Sequence, residues 1–408
     1  MEYSISKDII FSKLNKTYSL EDNCFTKTKQ TPWVYGKTEY DSYNIKELFK
    51  LYDIELDFQI PQKFKNCINQ LNLKDNGVIW EYILPDTIYE ELVSEFAESI
   101  SINFKQLDTD YYTNTFKITN KFLNDLRPAK LNRKKLLKYI RSEENKTSIS
   151  NLETFVSNEQ GYCYPVVWNR FASRTGRLVV KSGPRILLLK KEYKDMLESR
   201  YEGGRIMQFD YVSFEARLAL SMADKYCDKQ DVYQFINQEM FSGTLERNVV
   251  KEITLATLYG MSIDNLASKL YMEHDEVSEH TNKIKRYFRF NQTYESLFDD
   301  VKKTGKLKSF FGRNIRVDNH APGAIYNSYI QSTGVDAALL GFNSINEFTK
   351  KHELNFVPLF VLHDALIADV SPELFKHIDK LKSLGESIPG IKNKFYFSAT
   401  SLCTTGNY

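Results

Sequence analysis

Asp210 closes the apolar run Arg205-Ile206-Met207-Gln208-Phe209, and Asp364 stands between two further apolar runs, Asn355–Leu362 and Leu366–Val370. Runs of this length and composition predict short buried strands, the second pair joined as a hairpin with Asp364 at its tip. Carboxylate oxygens are the ligands Mg²⁺ prefers, and two ions about 4 Å apart can activate a hydroxyl and stabilise a leaving oxygen in phosphoryl transfer. An Asp that ends a strand also serves as an ordinary turn former.

Between the two aspartates, Arg247, Lys251, Leu255 and Tyr259 recur at strict i+4 spacing, and the pattern stops at Gly260. This predicts a helix from about Thr244 with all four residues on one face. At about 1.5 Å rise per residue the two cations stand some 6 Å apart, a spacing suited to a triphosphate. Tyr259 followed by Gly260 could receive a base, because glycine lets a planar ring approach the backbone. Such a series also occurs at core and surface positions that bind nothing.

Elements around these residues must hold them in place. Gly203 and Gly204 read as the end of a helix before the first strand, and Glu215 to Asp224 as a helix after it. Upstream, Arg127, Lys130, Arg133, Lys134, Lys135, Lys138 and Arg141 follow one another without an acid, while Leu131, Leu136, Leu137 and Ile140 keep helical spacing. That segment reads as a basic helix, either a solvated face or a surface for phosphates. The chain carries 55 Lys plus Arg against 53 Asp plus Glu, so it is no simple polycation. Its charge is unevenly spread: residues 1–100 hold 11 Lys, no Arg and 17 acids, and residues 101–200 hold 20 Lys plus Arg and 10 acids.

At 408 residues with 42% hydrophobic side chains the chain is long enough for two or three globular modules. No apolar run is long enough for a membrane span, and the N-terminus lacks a secretory pattern, so no membrane partner and a cytoplasmic location are expected, in a bacterial host cell if the gene is viral. Five scattered cysteines with no CxxC pair support neither a disulfide framework nor a zinc site. Asp53-Ile54-Glu55 has the Asp-x-Glu form that metal-dependent exonucleases carry on a strand. Fewer than 80 residues separate it from the basic segment, too few for an exonuclease fold, so none is expected.

DYVSFEARLAL (Asp210 to Leu220), RNVVKEITLATLYGMS (Arg247 to Ser262) and VLHDALIADV (Val361 to Val370) resemble the three polymerase motifs of family A DNA polymerases, the bacterial DNA polymerase I and phage type, in order and spacing. SRTGRL (Ser173 to Leu178) resembles that family's TxTGRL loop, FFGRNIRV (Phe310 to Val317) its Gly-Arg element, and Asn327 with Gln331-Ser332-Thr333 its Asn-x3-Gln-Gly-Thr helix. The resemblance covers about residues 150 to 408. It implies an α+β right-hand fold: an unassigned segment 1–60, a helical thumb over 61–158, palm over 159–217 with an antiparallel sheet, helical fingers over 218–318, and the second part of the palm over 319–408.

The resemblance also implies site roles. Asp210 and Asp364, with the Tyr211 carbonyl, would hold two Mg²⁺ ions, Mn²⁺ serving as a substitute. Arg247 and Lys251 would bind a dNTP triphosphate, and Leu255, Tyr259, Gly260 and Tyr233 would line the nucleotide. Glu215, backed by Tyr259, would exclude a ribose 2′-hydroxyl. Arg177, Asn327, Gln331 and His363 would touch the minor groove and primer terminus, and Arg133, Lys134, Lys135 and Lys138 the duplex backbone. Expected partners are primer-template DNA, dNTPs, and a separate exonuclease or processivity protein. The chain departs from the family at Leu255 (Phe or Tyr elsewhere), Ser213 (Gln), Tyr233 (His) and Ala365 (Glu). A single-subunit RNA polymerase shares the fold but lacks the glutamate, and a non-catalytic nucleic-acid-binding relic is the other alternative.

Overall fold

Helical spacing governs the first of two compact units, residues 1–109. The computed structural model describes residues 45–54, 60–72, 80–228 and 231–402, with short strands at 4–5, 17–19 and 24–26. Those strands, β1 (Ser4–Ile5), β2 (Thr17–Ser19) and β3 (Cys24–Thr26), pair antiparallel. Three helices follow, α1 (Ile45–Leu51), α2 (Gln62–Gln70) and α3 (Asp86–Gln106), and Leu48 and Phe49 of α1 are fully buried. Asp53 lies in the turn after α1 with φ of 55°, not on a strand, and Glu55 lies outside the described residues.

The second unit, residues 110–408, opens with a π-helical turn at Tyr112–Phe116 that runs into α4 (Lys117–Asp125). The expected basic helix begins later than its charges do. Leu126 is extended ahead of Arg127 and Pro128, Lys130 sits on β4 (Lys130–Leu131), and α5 covers only Arg133–Ser142. A residue before proline is steered out of the helical region, and Asn132 then starts the helix by accepting a hydrogen bond from the Lys135 amide at 2.9 Å. After α6 (Lys146–Glu153) comes a hairpin of β5 (Val167–Asn169) and β6 (Val179–Ser182), whose loop carries Ser173 to Leu178. β7 (Leu197–Glu198) pairs with β4, and Gly203-Gly204 form the turn between β7 and β8 (Arg205–Tyr211) rather than a helix end.

Six helices follow: α7 (Phe214–Met222), α8 (Val232–Phe241), α9 (Arg247–Tyr259), α10 (Ile263–Leu270), α11 (His274–Tyr287) and α12 (Phe290–Thr304). Gly260 ends α9 at φ of 73°, the left-handed cap that glycine adopts without a Cβ penalty. A small hairpin of β9 (Lys306–Lys308) and β10 (Asn314–Arg316) precedes α13 (Pro322–Lys351), whose first helical residue is proline, a position where the missing N–H costs nothing. β11 (Phe356–Leu362), β12 (Ala365–Val370), α14 (Ile378–Glu386) and β13 (Phe397–Ser401) complete the unit.

One four-stranded antiparallel sheet, in the order β11-β12-β8-β13, organises these pieces. Alternation along β8 divides its residues between two cores. Met207, Phe209 and Tyr211 join Leu366, Ala368, Phe397 and the buried side of α13. Ile206 joins Ile367, Leu359 and the buried residues Leu136, Leu152, Met196 and Leu197 on the other face. Gln208 and Asp210 share the face of Ile206, so the period of two carries Asp210 clear of the large aromatic core.

Asp336, on α13, is fully buried and is the centre of a closed polar cluster. It accepts from Arg170 Nη2 (2.9 Å), Arg313 Nη2 (3.2 Å) and the Tyr111 hydroxyl (2.9 Å). Burial pushes the Tyr111 phenol upward, so it remains a donor. Arg313 in turn lies against Gly176, where an added Cβ would stand 2.4 Å from the guanidinium, and Gly176 has φ of 74°. Glycine is therefore required there both for the turn and for the close approach. This contact seats the loop that carries Arg177.

Candidate active site

Strand pairing brings the two aspartates together. Asp210 is the register partner of Ala365 on β12, and the Tyr211 amide donates to the Asp364 carbonyl at 3.2 Å. His363, at φ of 54°, makes the tight link that leaves Asp364 at the tip of the β11-β12 hairpin. The Tyr211 side chain points the opposite way, its hydroxyl donating to the Gly385 carbonyl at 2.7 Å, which leaves only its backbone near the aspartates.

Burial, then the neighbouring charge of Asp364, pushes the Asp210 carboxyl up to about 6, against a hydrogen bond from Gln208 and the charge of Lys194. Burial also raises Asp364, opposed by its own amide and by the His363 and Arg177 charges. Neither carboxylate forms an ion pair among the described residues. Two adjacent half-buried carboxylates that no cation pairs directly are a donor set that fits a hard divalent cation, which would relieve both the burial and the mutual repulsion. Among the described residues no third His, Cys, Asp or Glu joins them.

Asp364 opens on a cavity of about 480 Å³ whose wall includes Arg177, Glu215, Tyr233, Leu255, Gln331 and His363. Six of the residues singled out from the sequence therefore share one hollow with Asp364. Glu215 sits in the first turn of α7, 3.6 Å from Arg177. Burial raises its carboxyl, Arg177 lowers it and Asp364 raises it further. Asn327, on α13, keeps a buried side-chain carbonyl with no hydrogen-bond partner in the described structure.

Some placements differ from expectation. Tyr259 (40% exposed) and Gly260 lie outside the cavity lining, and the phenol that feels the Glu215 charge is that of Tyr233, which is buried and hydrogen bonded to Ser213. Tyr233 stands on α8, which packs beside α9, so helix packing brings it to the site where sequence order pointed to Tyr259. Lys135 is half-buried where its basic neighbours are exposed: its ammonium pairs with Asp195 at 3.0 Å, on the same side of α5 as Tyr139 one turn later, whose hydroxyl donates to the other Asp195 oxygen at 2.6 Å. Arg133, Lys134, Lys138 and Arg141 remain exposed.

Along the outer face of α9, Arg247, Lys251, Leu255 and Tyr259 are all at least partly exposed while Val250, Ile253, Thr254 and Leu258 are buried. Arg247 and Asp231 line a second, polar hollow of about 970 Å³ together with Val212 and Ser213, and Ser213 lines both hollows. Sequence reasoning gave no role to Asp231 or Lys194, and named Ser213 only as a departure from the family. An Asp ahead of the helical pattern at Val232 was a legible cap signal for Asp231, whereas nothing local marks the left-handed Ser213 (φ of 54°) or the approach of Lys194 to Asp210.

The POL domain of Pol1 from M. smegmatis, solved in complex with DNA primer-template and dNTP, has the same fold with a TM-score of 0.63, at 14% identity over 86% of this chain and 80% of that one. The chain thus has the right-hand α+β polymerase fold, with antiparallel sheets. The chain belongs to DNA polymerase family A, whose sequence model matches residues 91–386. The DNA polymerase of Bacillus phage SP01 is 27% identical over 243 residues, 52% of this chain. The match spans 26% of that relative's length.

Proposed function

We propose that this chain extends a primer 3′ end with dNTPs on a DNA template, and that Asp210, Asp364 and the face of α9 are its catalytic centre. The observation that carries the reading is the pair of carboxylates side by side at strand ends with no ion pair among the described residues, Asp364 of the pair opening on a cavity lined by Arg177, Glu215 and Leu255. Membership of family A and the likeness to a polymerase domain solved with primer-template and dNTP support it.

Asp210 and Asp364, with the Tyr211 carbonyl, would hold two Mg²⁺ ions, or Mn²⁺ in their place, which when bound lower the pKa of the primer hydroxyl and neutralise charge on the phosphates. Arg247 and Lys251 bind the triphosphate, and their fixed charges favour the negative charge that develops on the departing pyrophosphate. Leu255 and Tyr233 flank the nucleotide, with Tyr259 and Gly260 at the far end of the same helix. Glu215, half-buried beside Tyr233, occupies the space a ribose 2′-hydroxyl would need. Gln331, His363, Arg177 and Asn327, the last by turning its buried carbonyl outward, offer donors and acceptors to the primer terminus and minor groove. The exposed Arg133, Lys134, Lys138 and Arg141 would meet the duplex backbone, making affinity strongly salt-dependent. Lys135, engaged with Asp195, has no part in that contact.

The same reading has no 3′–5′ exonuclease in these residues. Asp53 stands in a turn with φ of 55° rather than on a strand, which supports that reading. Primer extension with Mg²⁺ and four dNTPs, run beside rNTPs, an RNA template and a mismatched 3′ end, tests every part. Template-dependent extension with dNTPs and an uncut mismatch is the expected result. Extension with rNTPs alone would favour an RNA polymerase, and binding without extension a non-catalytic relic.

A further inference from the structure

Asp231 has both of its carboxylate oxygens committed, each to a different task. Oδ1 caps α8, accepting from the backbone amides of Tyr233 (3.0 Å) and Gln234 (3.2 Å). Oδ2 accepts from Nε of Arg247, a residue of the next helix. The Arg247 guanidinium carbon also lies over the Tyr233 ring, 5.5 Å from its centre. The guanidinium is thus fixed at one edge by a carboxylate that cannot swing, and on one face by a buried ring. Arg247 Nη1 has only a long contact, 3.4 Å to Asn248, so the terminal nitrogens remain at the wall of the polar hollow that meets the main cavity at Ser213.

We propose that Asp231 is a positioning residue for the incoming nucleotide: anchored by the α8 cap, it orients Arg247 through Nε so that Nη1 and Nη2 meet the triphosphate. This rests on the polymerase reading above. Arginine donates five hydrogen bonds in a rigid fork, so occupying Nε aims the rest rather than consuming them. A lysine would have no second edge to hold. A carboxylate that competed with the phosphates would take the terminal nitrogens instead, and it takes Nε.

The test separates orientation from capping. Asn caps a helix as well as Asp does, so Asp231→Asn can keep the α8 cap through Oδ1 while its Nδ2, a donor, replaces the charged acceptor that holds Arg247. In single-nucleotide incorporation, Asp231→Asn should raise KM for the dNTP about tenfold with kcat within about twofold, at an unchanged Tm. Arg247→Lys should raise KM at least as much, and adding Asp231→Asn to it should change nothing further. Asp231→Ala loses the cap as well and should lower Tm. Calorimetric binding of inorganic tripolyphosphate with Mg²⁺ gives a readout free of chemistry: wild type should bind, and Asp231→Asn about tenfold more weakly. Wild-type KM and wild-type tripolyphosphate affinity in Asp231→Asn would overturn the inference, leaving Asp231 a cap alone, and so would absence of tripolyphosphate binding by wild type. A wild type that binds tripolyphosphate more tightly than Asp231→Asn does but extends no primer would instead overturn the polymerase reading and leave Asp231 orienting Arg247 for a polyphosphate put to another use.

Discussion

Asp336 and the Asp210-Asp364 pair are buried charge in the same unit, and the fold surrounds them in opposite ways. Asp336 is fully enclosed, and two guanidinium groups and a phenol satisfy it from three distant parts of the chain. The pair at the palm strand ends is less buried yet has like charge beside it and no ion-pair partner, and both carboxyls are driven up in pKa. A satisfied charge locks elements together. An unsatisfied one destabilises the empty protein and favours whatever cation arrives. On the proposed reading, the difference separates a cluster that serves the architecture from one that serves chemistry.

Removing one charge from each cluster is the strongest way to break that comparison. Asp364→Asn should reduce the rate of primer extension on the order of 10³-fold or more, with primer-template binding little changed. Its metal-free Tm should hold or rise, since a repulsive buried charge is gone. Extension near the wild-type rate would sink the assignment. Asp336→Ala should behave the other way, leaving two buried guanidinium groups without a countercharge and costing about 3–5 kcal/mol of stability, read from urea or thermal unfolding. A loss under about 1 kcal/mol would mean the cluster is not the lock described.

Smaller effects sharpen the picture. Glu215→Ala should lower the preference for dCTP over CTP at least about tenfold, measured from the ratio of kcat/KM values. An unchanged ratio would leave Glu215 as a helix-start carboxylate and move the sugar discrimination elsewhere.

The smallest effect is in pH dependence without metal. A carboxyl whose pKa is raised on folding, as Asp210 is from 3.8 to about 6, stabilises fully below its unfolded value and loses that contribution as pH rises through its folded one. In EDTA, the Tm difference between Asp210→Asn and wild type should therefore widen in favour of the variant between pH 4 and 7, by roughly a few degrees. Carboxyls lowered by partners, such as Glu143 held down to about 2 by Lys190 and Tyr193, act oppositely in both proteins and cancel in the difference. A difference independent of pH would contradict the raised carboxyl.

Strands β8, β11 and β12, the α9 stop at Gly260, the hairpin tip at Asp364 and the i+4 face of Arg247 to Tyr259 were all determined by the sequence itself. Each depends on residues a few positions apart, where side-chain periodicity and glycine's backbone freedom act before any tertiary contact forms. Local signals failed where they competed. The run of bases from Arg127 to Arg141 masked the break at Pro128, and Gly203-Gly204 read as a helix end when they form a strand-to-strand turn. Only the tertiary structure placed Tyr233 rather than Tyr259 beside Glu215, turned Lys135 onto Asp195, gathered Arg170, Arg313 and Tyr111 around Asp336, and hung Arg247 on Asp231. These pairings join residues 16 to 225 positions apart, so no local spacing encodes them. They follow from which helix faces pack together and from the cost of leaving a buried charge such as Asp336 without a partner, a cost relieved only when the whole core has closed.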